Sequence, residues 1–194
     1  MKLKLFSTEN KDIKHKLIKI LGIKFHFKRK NISINEIKQS YIDNALQKGV
    51  KIGKNTELIS DICWGTEPYL IEIGENNVIS FDVSFLTHDG CINTLNRLYN
   101  DNLSKIGKII IKNNCFIGCR TIILPNVCIG NNVIVGAGSV VTKNIPDNEV
   151  WAGNPAKKIC NTFDLYKKQK DKNTNREYIE LLNYMKEINN EIYR

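Results

Sequence analysis

From Ile111 to Pro146 apolar and polar positions recur every six residues without a break, as IKNNCF, IGCRTI, ILPNVC, IGNNVI, VGAGSV and VTKNIP. The first place of each hexad is an aliphatic β-former: Ile111, Ile117, Ile123, Ile129, Val135 and Val141. The fifth is small or β-branched: Cys115, Thr121, Val127, Val133, Ser139 and Ile145. Side chains two residues apart on a strand face the same way, so the fifth place and the next first place point inward together. The pattern predicts short strands joined by turns. Such a unit cannot bury its apolar side alone and must stack into a solenoid. Gly118, Gly130 and Gly136 in the second place are expected to serve tight corners, where a Cβ would be costly.

Three hexads close a triangular coil, and coils stack at about 4.8 Å. The outward sixth place then aligns Phe116 with Ile134 on one face and Ile122 with Val140 on another. Apolar stripes of this kind predict a surface for self-association. The repeat itself leaves the hand of the coil open.

Weaker hexads extend the pattern upstream. Ile52-Gly53 starts it, the frame breaks at Cys63–Tyr69 around Trp64, Gly65 and Pro68, and it resumes as IGENNV, ISFDVS and FLTHDG from Ile73. Asn77 stands where a small apolar residue is expected, and an internal hydrogen bond would satisfy it. No hexad can be written between Gly90 and Lys108, which reads as a loop ejected from one corner; long loops in compact domains are usually functional. The expected organisation is a basic helical or mixed region over 1–48, a solenoid over 49–160 carrying the 90–108 loop, and a helical extension over 161–194. Within the first region, Ile13, Leu17, Ile20 and Leu21 share a helical face that Gly22 could end, and Ile34–Lys48 is a second helix. At the other end Ile179, Leu182, Tyr184, Met185, Ile188 and Ile192 form a helical stripe within Arg176–Tyr193, read as core or a partner helix.

The length of 194 residues suits one core-bearing domain with extensions. No run of about 18 apolar residues occurs, so no membrane-spanning helix is expected. Lysines interrupt the N-terminal apolar stretch, and no signal-peptide core is read there. The six cysteines lack paired spacing and read as small hydrophobes in a reducing cytoplasm. The net charge of +9 is concentrated outside the repeats, in Lys2–Lys30 and Lys167–Lys172. It favours anionic partners, and peripheral attachment to the inner face of a membrane is an expectation for the basic N-terminal region. Nothing resembles a nucleic-acid recognition pattern, so nucleic acid is not an expected partner.

His88 is the one histidine inside the repeats, in Thr87-His88-Asp89-Gly90 just before the ejected loop. An imidazole beside a cleft suits proton abstraction near neutral pH. A carboxylate on its second ring nitrogen would fix the tautomer, and Asp89, Asp82, Glu67 or a backbone carbonyl could serve. Adjacent residues in extended chain point apart, which counts against Asp89. Glu67 could instead contact a substrate, and Trp64 and Tyr69 could stack on a ligand ring or cover the end of the prism.

The segment Ile109–Ile159, with KNNCFIGCRTIILPNVCIGNNVIVGAGSVVTKNIPDNEVWAGNPAKKI, resembles the hexapeptide-repeat acyltransferases. The resemblance covers about residues 49–160, and Trp64–Gly90 is closest to the sugar and polysaccharide O-acetyltransferases. It implies a mainly β fold, a left-handed parallel β-helix, and a homotrimer. It further implies acetyl-CoA as co-substrate and a sugar or glycan hydroxyl as acceptor, in surface-polysaccharide or lipopolysaccharide assembly. On this resemblance His88 is the catalytic base, with Glu67 and Asp89 as candidate helpers, in a cleft between subunits. Gly118, Cys119 and Ala137 match contacts to the pantetheine arm, Thr142 and Lys143 match contacts on the nucleotide side, and Lys157 and Lys158 suit the 3′-phosphate. The family transfers directly from the thioester, so Cys119 is not expected to carry the acyl group.

Rival readings share the scaffold. One is N-acylation of a nucleotide-linked amino sugar, another acetylation of serine or of a xenobiotic, and a third a structural β-helix without activity. Metal enzymes built on the same prism need several histidines, whereas the repeats hold one, so no metal is expected.

Overall fold

The hexads form three parallel sheets wound into a left-handed parallel β-helix. The computed structural model describes the backbone at residues 6–12, 15–20, 23–28, 33–173, 180 and 184, and side chains at 33–171, 180 and 184. The chain divides into two compact units, Met1–Gln39 and Ser40–Arg194. In the second unit one sheet stacks Glu57–Leu58, Val78–Ile79, Phe116–Ile117, Ile134–Val135 and Glu149–Ala152, with Lys157–Asn161 added antiparallel at its top. A second stacks Ser84–Phe85, Ile122–Ile123 and Val140–Val141. The third stacks Lys51–Ile52, Ile71–Ile73, Ile109–Ile111 and Cys128–Ile129. Phe116 pairs with Ile134 and Ile122 with Val140, one coil of 18 residues apart, as the pattern requires.

Every first-place and fifth-place residue of the six central hexads is buried. Asn77 is fully buried, and its amide joins two coils: Nδ2 donates to the Lys112 carbonyl at 2.9 Å and Oδ1 accepts the Cys115 N–H at 2.8 Å. Asn77→Leu keeps the volume but strands both backbone groups. A loss of about 2–3 kcal/mol is expected from their unmet hydrogen bonds, read as a fall in the thermal midpoint.

The corners correct one expectation. The left-handed backbone falls in the fourth place of the hexad: Asn76, Asp82, Asn114, Arg120, Asn126, Asn132 and Gly138 have φ between 57° and 68°. Asparagine tolerates this region better than most residues, and here it adds a ladder. Asn114 donates to Asn132 and Asn132 to Asn148, each at 2.8 Å. The second-place glycines have another task. A Cβ on Gly118 would stand 2.5 Å from the Ala137 nitrogen, and one on Gly130 2.7 Å from the Asp147 nitrogen. They are bare because the next coil passes against them.

Two departures from the frame occur at one corner, the one following the Ser84–Phe85 sheet. The first coil spans 21 residues, since Lys51 pairs with Glu72 and Glu57 with Val78. Its extra residues lie in the Cys63–Leu70 segment, which ends in a short 3-10 turn at Pro68–Leu70. The second coil spans 38 residues, since Ile71 pairs with Ile109. Its excess is not the bare loop expected from the sequence: it holds a helix, α2 (Cys91–Tyr99), closed by Asn100 in the left-handed region. Ile92, Leu95 and Tyr99 fall on one side at helical spacing, a period that a frame of six does not reveal. No α2 residue is buried.

The N-terminal region also differs. Leu17 and Ile20 lie in a strand, His15–Ile20, between Phe6–Asp12 and Ile23–Lys28 in an antiparallel meander, not on a helix. Short apolar runs fit either period; these segments are too short for stable helices and carry the β-branched and aromatic residues of strands. Ile13, Leu21 and Gly22 lie outside the described residues. The expected second helix is α1, Ile34–Gln47. Within the second unit its Ala45 is fully buried, and Tyr41 and Ile42 pack on the solenoid core. After the last strand comes α3 (Thr162–Asn173). Of the apolar stripe expected in Arg176–Tyr193, only Tyr184 is described; the rest lies outside the described residues.

Candidate active site

The corner where both frame breaks occur gathers the titratable groups. Trp64 is buried and stacks on Phe85 with ring centroids 5.1 Å apart, so it anchors the first break in the core and is not free to hold a sugar. Tyr69 is exposed. Between them Gly65, at φ 68°, crosses so close beneath the next coil that a Cβ would stand 2.9 Å from the Phe85 carbonyl oxygen. That approach delivers Thr66 and Glu67 to the coil above, where Thr87 and His88 lie.

His88 Nδ1 is 3.0 Å from Glu67 Oε2 and 3.1 Å from Thr66 Oγ1. The Thr66 hydroxyl donates to Glu67 Oε1 and that of buried Thr87 to Oε2, each at 2.6 Å. Hydrogen bonds from Thr66, then Thr87, then His88 hold the Glu67 carboxyl down to about 2. The His88 side chain is 49% exposed, and its Nε2 has no protein partner among the described residues. It lines a pocket of about 180 Å³ whose far wall is the excursion, with Ile92, Asn93, Leu103 and Ser104.

Of the carboxylates left open by the sequence, the structure sets Glu67 on the imidazole. Asp89 lines the same pocket as His88, but its carboxylate is engaged elsewhere, as expected of neighbours in extended chain. Its carboxylate takes the Lys105 ammonium at 2.6 Å and the Cys91 N–H at 3.0 Å, both of which hold it well below the usual range. Asp89 thereby ties the two strands of the excursion's neck together and caps α2. The neck is completed by Asp89 N–H to the Lys105 carbonyl and Gly107 N–H to that of Thr87. Asp82 lies 3.7 Å from Arg120, at another corner.

The residues expected to hold acetyl-CoA split into groups. Thr142 and Lys143 are exposed and follow Val140–Val141, on the same corner as His88 and two coils above it, about 10 Å away. Gly118, Cys119 and Ala137 stack at a different corner, between the Phe116–Ile134 and Ile122–Val140 sheets. Ala137 and Gly138 are exposed there, and a Cβ on Gly138 would meet nothing within 4 Å, so a narrow chain could lie along this strip. Lys157 and Lys158 sit on the terminal strand. Lys158 pairs with Glu149 at 2.7 Å, and the Lys143 ammonium lies 5.4 Å from the centre of the Trp151 ring. One chain therefore does not bring the two corners together. A larger groove of about 500 Å³ lies over Phe116 and Ile134 beside Phe163 and Tyr166, lined by apolar and amide groups.

Residues 108–143 match the family signature described as bacterial transferase hexapeptide (six repeats). Protein CapG of Staphylococcus aureus is 41% identical over 169 residues, covering 81% of this chain and 97% of that protein. YvoF of Bacillus subtilis (strain 168), provisionally named an acetyltransferase, is 31% identical over 62% of this chain and 66% of its own. Among solved structures, a maltose O-acetyltransferase from Clostridium difficile 630 superposes with a TM-score of 0.50 at 27% identity, covering 68% of this chain and 79% of that one. With unbroken hexads, three parallel sheets and this degree of likeness, the chain belongs to the bacterial hexapeptide-repeat transferase family.

Proposed function

We propose that this protein moves an acetyl group from acetyl-CoA to a sugar hydroxyl, in the assembly of a surface glycan, with His88 as the base. The observation that carries the reading is the Glu67–His88 contact at 3.0 Å, which leaves Nε2 without a partner among the described residues on a ring that lines a pocket. Glu67 accepts the Nδ1 hydrogen, so the neutral ring keeps its lone pair on Nε2. The acceptor oxygen loses its proton to Nε2 as it attacks the thioester carbonyl. The tetrahedral intermediate then expels CoA as a thiolate, which takes the same proton back. Glu67 stabilises the transient imidazolium across 3.0 Å. Backbone N–H groups at a corner are the natural donors to the oxyanion.

The separation of the Gly118–Ala137 strip from the His88 corner supports a site assembled between neighbouring copies, and a homotrimer fits both the fold and the outward apolar stripes. The small residues of that strip suit the pantetheine arm, while Lys143 and Lys157 suit phosphate. The maltose O-acetyltransferase likeness and the Trp64–Gly90 segment favour oxygen over nitrogen as the atom acylated.

The test is incubation of the protein with acetyl-CoA and a panel of sugars and nucleotide sugars, followed by mass spectrometry. The expected product is 42 Da heavier than its acceptor (about one acetyl for hydrogen), and mild alkali removes the group as it would an ester. An alkali-stable product would assign N-acylation instead, and no acetylated product with any acceptor would refute the reading.

A further inference from the structure

We propose that Thr66 and Thr87 are positioning residues that, through Glu67, dictate which nitrogen of His88 bears the proton. The inference rests on the reading of His88 as the base and extends it to two residues outside that mechanism.

The available hydrogens decide the tautomer. A threonine hydroxyl has one hydrogen to give and lone pairs to receive, and an ionised carboxylate can only accept. Thr66 lies 2.6 Å from Glu67 Oε1, and Thr87 lies 2.6 Å from Oε2. Both short contacts consume the hydroxyl hydrogen, because the carboxylate has none to offer. Thr66 Oγ1, its hydrogen spent, faces His88 Nδ1 at 3.1 Å only as an acceptor. Glu67 Oε2 faces the same nitrogen at 3.0 Å, also as an acceptor. Two acceptors and no donor converge on Nδ1. A bare Nδ1 would then meet two oxygen lone pairs, so the hydrogen must sit there and Nε2 must be the basic atom.

Either hydroxyl alone would leave one Glu67 oxygen free to rotate toward solvent. Thr87 is fully buried within its coil, so it fixes one end of the carboxylate. Thr66, adjacent in the chain, fixes the other and adds a second acceptor to the ring. A Cβ on Gly65 would stand 3.2 Å from Thr87 Oγ1, so the bare residue leaves room for the two threonines to meet at Glu67. This clamp would also hold Glu67 ionised through any pH at which the enzyme works.

Nitrogen-15 spectroscopy of the full-length protein labelled at histidine tests this without knowledge of the acceptor. The chain has three histidines, and His88→Ala identifies the signal that matters. At a pH where the ring is neutral, the wild-type His88 signals are expected to show Nδ1 protonated and Nε2 bare. In the Thr66→Val/Thr87→Val variant the ring is expected to shift toward the Nε2–H form that free imidazole side chains prefer in water. The double serine variant, which restores both hydroxyls, is expected to return it to Nδ1–H. Turnover should follow, falling about tenfold to a hundredfold in the valine variant with the acetyl-CoA KM unchanged, and recovering with serine. A wild-type ring protonated on Nε2 overturns the proposal, as does a valine variant that keeps Nδ1–H or a serine variant that fails to restore it. Should the valine pair unfold, the wild-type tautomer together with Thr66→Val alone decides the matter. The reading of His88 as the base fails separately, if CoA release from acetyl-CoA with an accepted sugar survives His88→Ala, and that result would leave the tautomer measurement standing.

Discussion

His88→Ala is expected to lower acceptor-dependent CoA release by about 10²–10⁴-fold, the usual contribution of a positioned general base. The ring projects from a corner and is half exposed, so its removal opens no cavity and the thermal midpoint should hold within about 0.5 kcal/mol of stability. The residues matched to acetyl-CoA, at the Gly118–Ala137 strip and at Thr142 and Lys143, lie on other coils. Calorimetric binding of acetyl-CoA should therefore be unchanged, and the loss should appear in kcat. An equal loss in Lys143→Ala would mean little, since that change would act through KM. Retention of full turnover in His88→Ala would remove the base from the mechanism and leave Glu67 with nothing to orient.

The solenoid was legible because its period is imposed by geometry. One buried pair per strand and three strands per coil force the spacing that aligns Phe116 with Ile134 and Ile122 with Val140. Asn77 was legible for the same reason: an amide in an inward place has to find partners, and it finds Lys112 and Cys115. The glycines were misread because a bare position has two causes. Positive φ and close approach both exclude a Cβ, and only the coordinates separate Gly118, pressed on Ala137, from Gly138 at φ 68°. The asparagines in the fourth place carried the missing signal, since a repeated Asn before an inward residue marks a left-handed corner. The N-terminal meander was hidden by length. Six-residue strands rich in isoleucine and lysine satisfy a helical spacing by chance, and pairing between strands, which decides the matter, is not local.

The site was legible in part. His88 stood out as a lone imidazole at the mouth of an excursion, but its partner Glu67 stayed one of four options, because 21 residues separate them. What brings Glu67 to it is that both interruptions of the hexads fall at the same corner of successive coils. Counting places from Ile52 and Ile73 would have shown this. Interruptions stacked on one edge cannot be turns of convenience, since each costs ladder hydrogen bonds that the regular coil makes. Asp89 follows the rule that neighbours in extended chain point apart: its carboxylate goes to Lys105 and the start of α2.

Glu67→Gln provides the second large effect, because it changes hydrogen-bond polarity at nearly constant shape. The amide can present its NH₂ to Nδ1, and a donor there stabilises the ring with its lone pair on Nδ1 and its hydrogen on Nε2. The base is then blocked at the nitrogen that has no protein partner among the described residues. The amide also removes the charge that steadies the imidazolium. Together these should cost about a hundredfold to ten-thousandfold in kcat, as tautomer errors do in imidazole–carboxylate pairs elsewhere. The pH dependence gives a second reading of the same pair. Glu67 has its carboxyl lowered from the ordinary value to about 2, so its charge is present above the unfolded carboxylate range and is lost only as pH falls toward 2. Glu67 therefore stays ionised down to the strongly acid range, and its protonation should contribute no inflection to the logarithm of kcat/KM in the ordinary carboxylate range. Comparison of the wild-type profile with that of Glu67→Gln checks this, because an inflection at about pH 4 to 5 that the amide removes would belong to Glu67. Such an inflection would mean that the hydroxyls of Thr66 and Thr87 do not hold the carboxylate in solution.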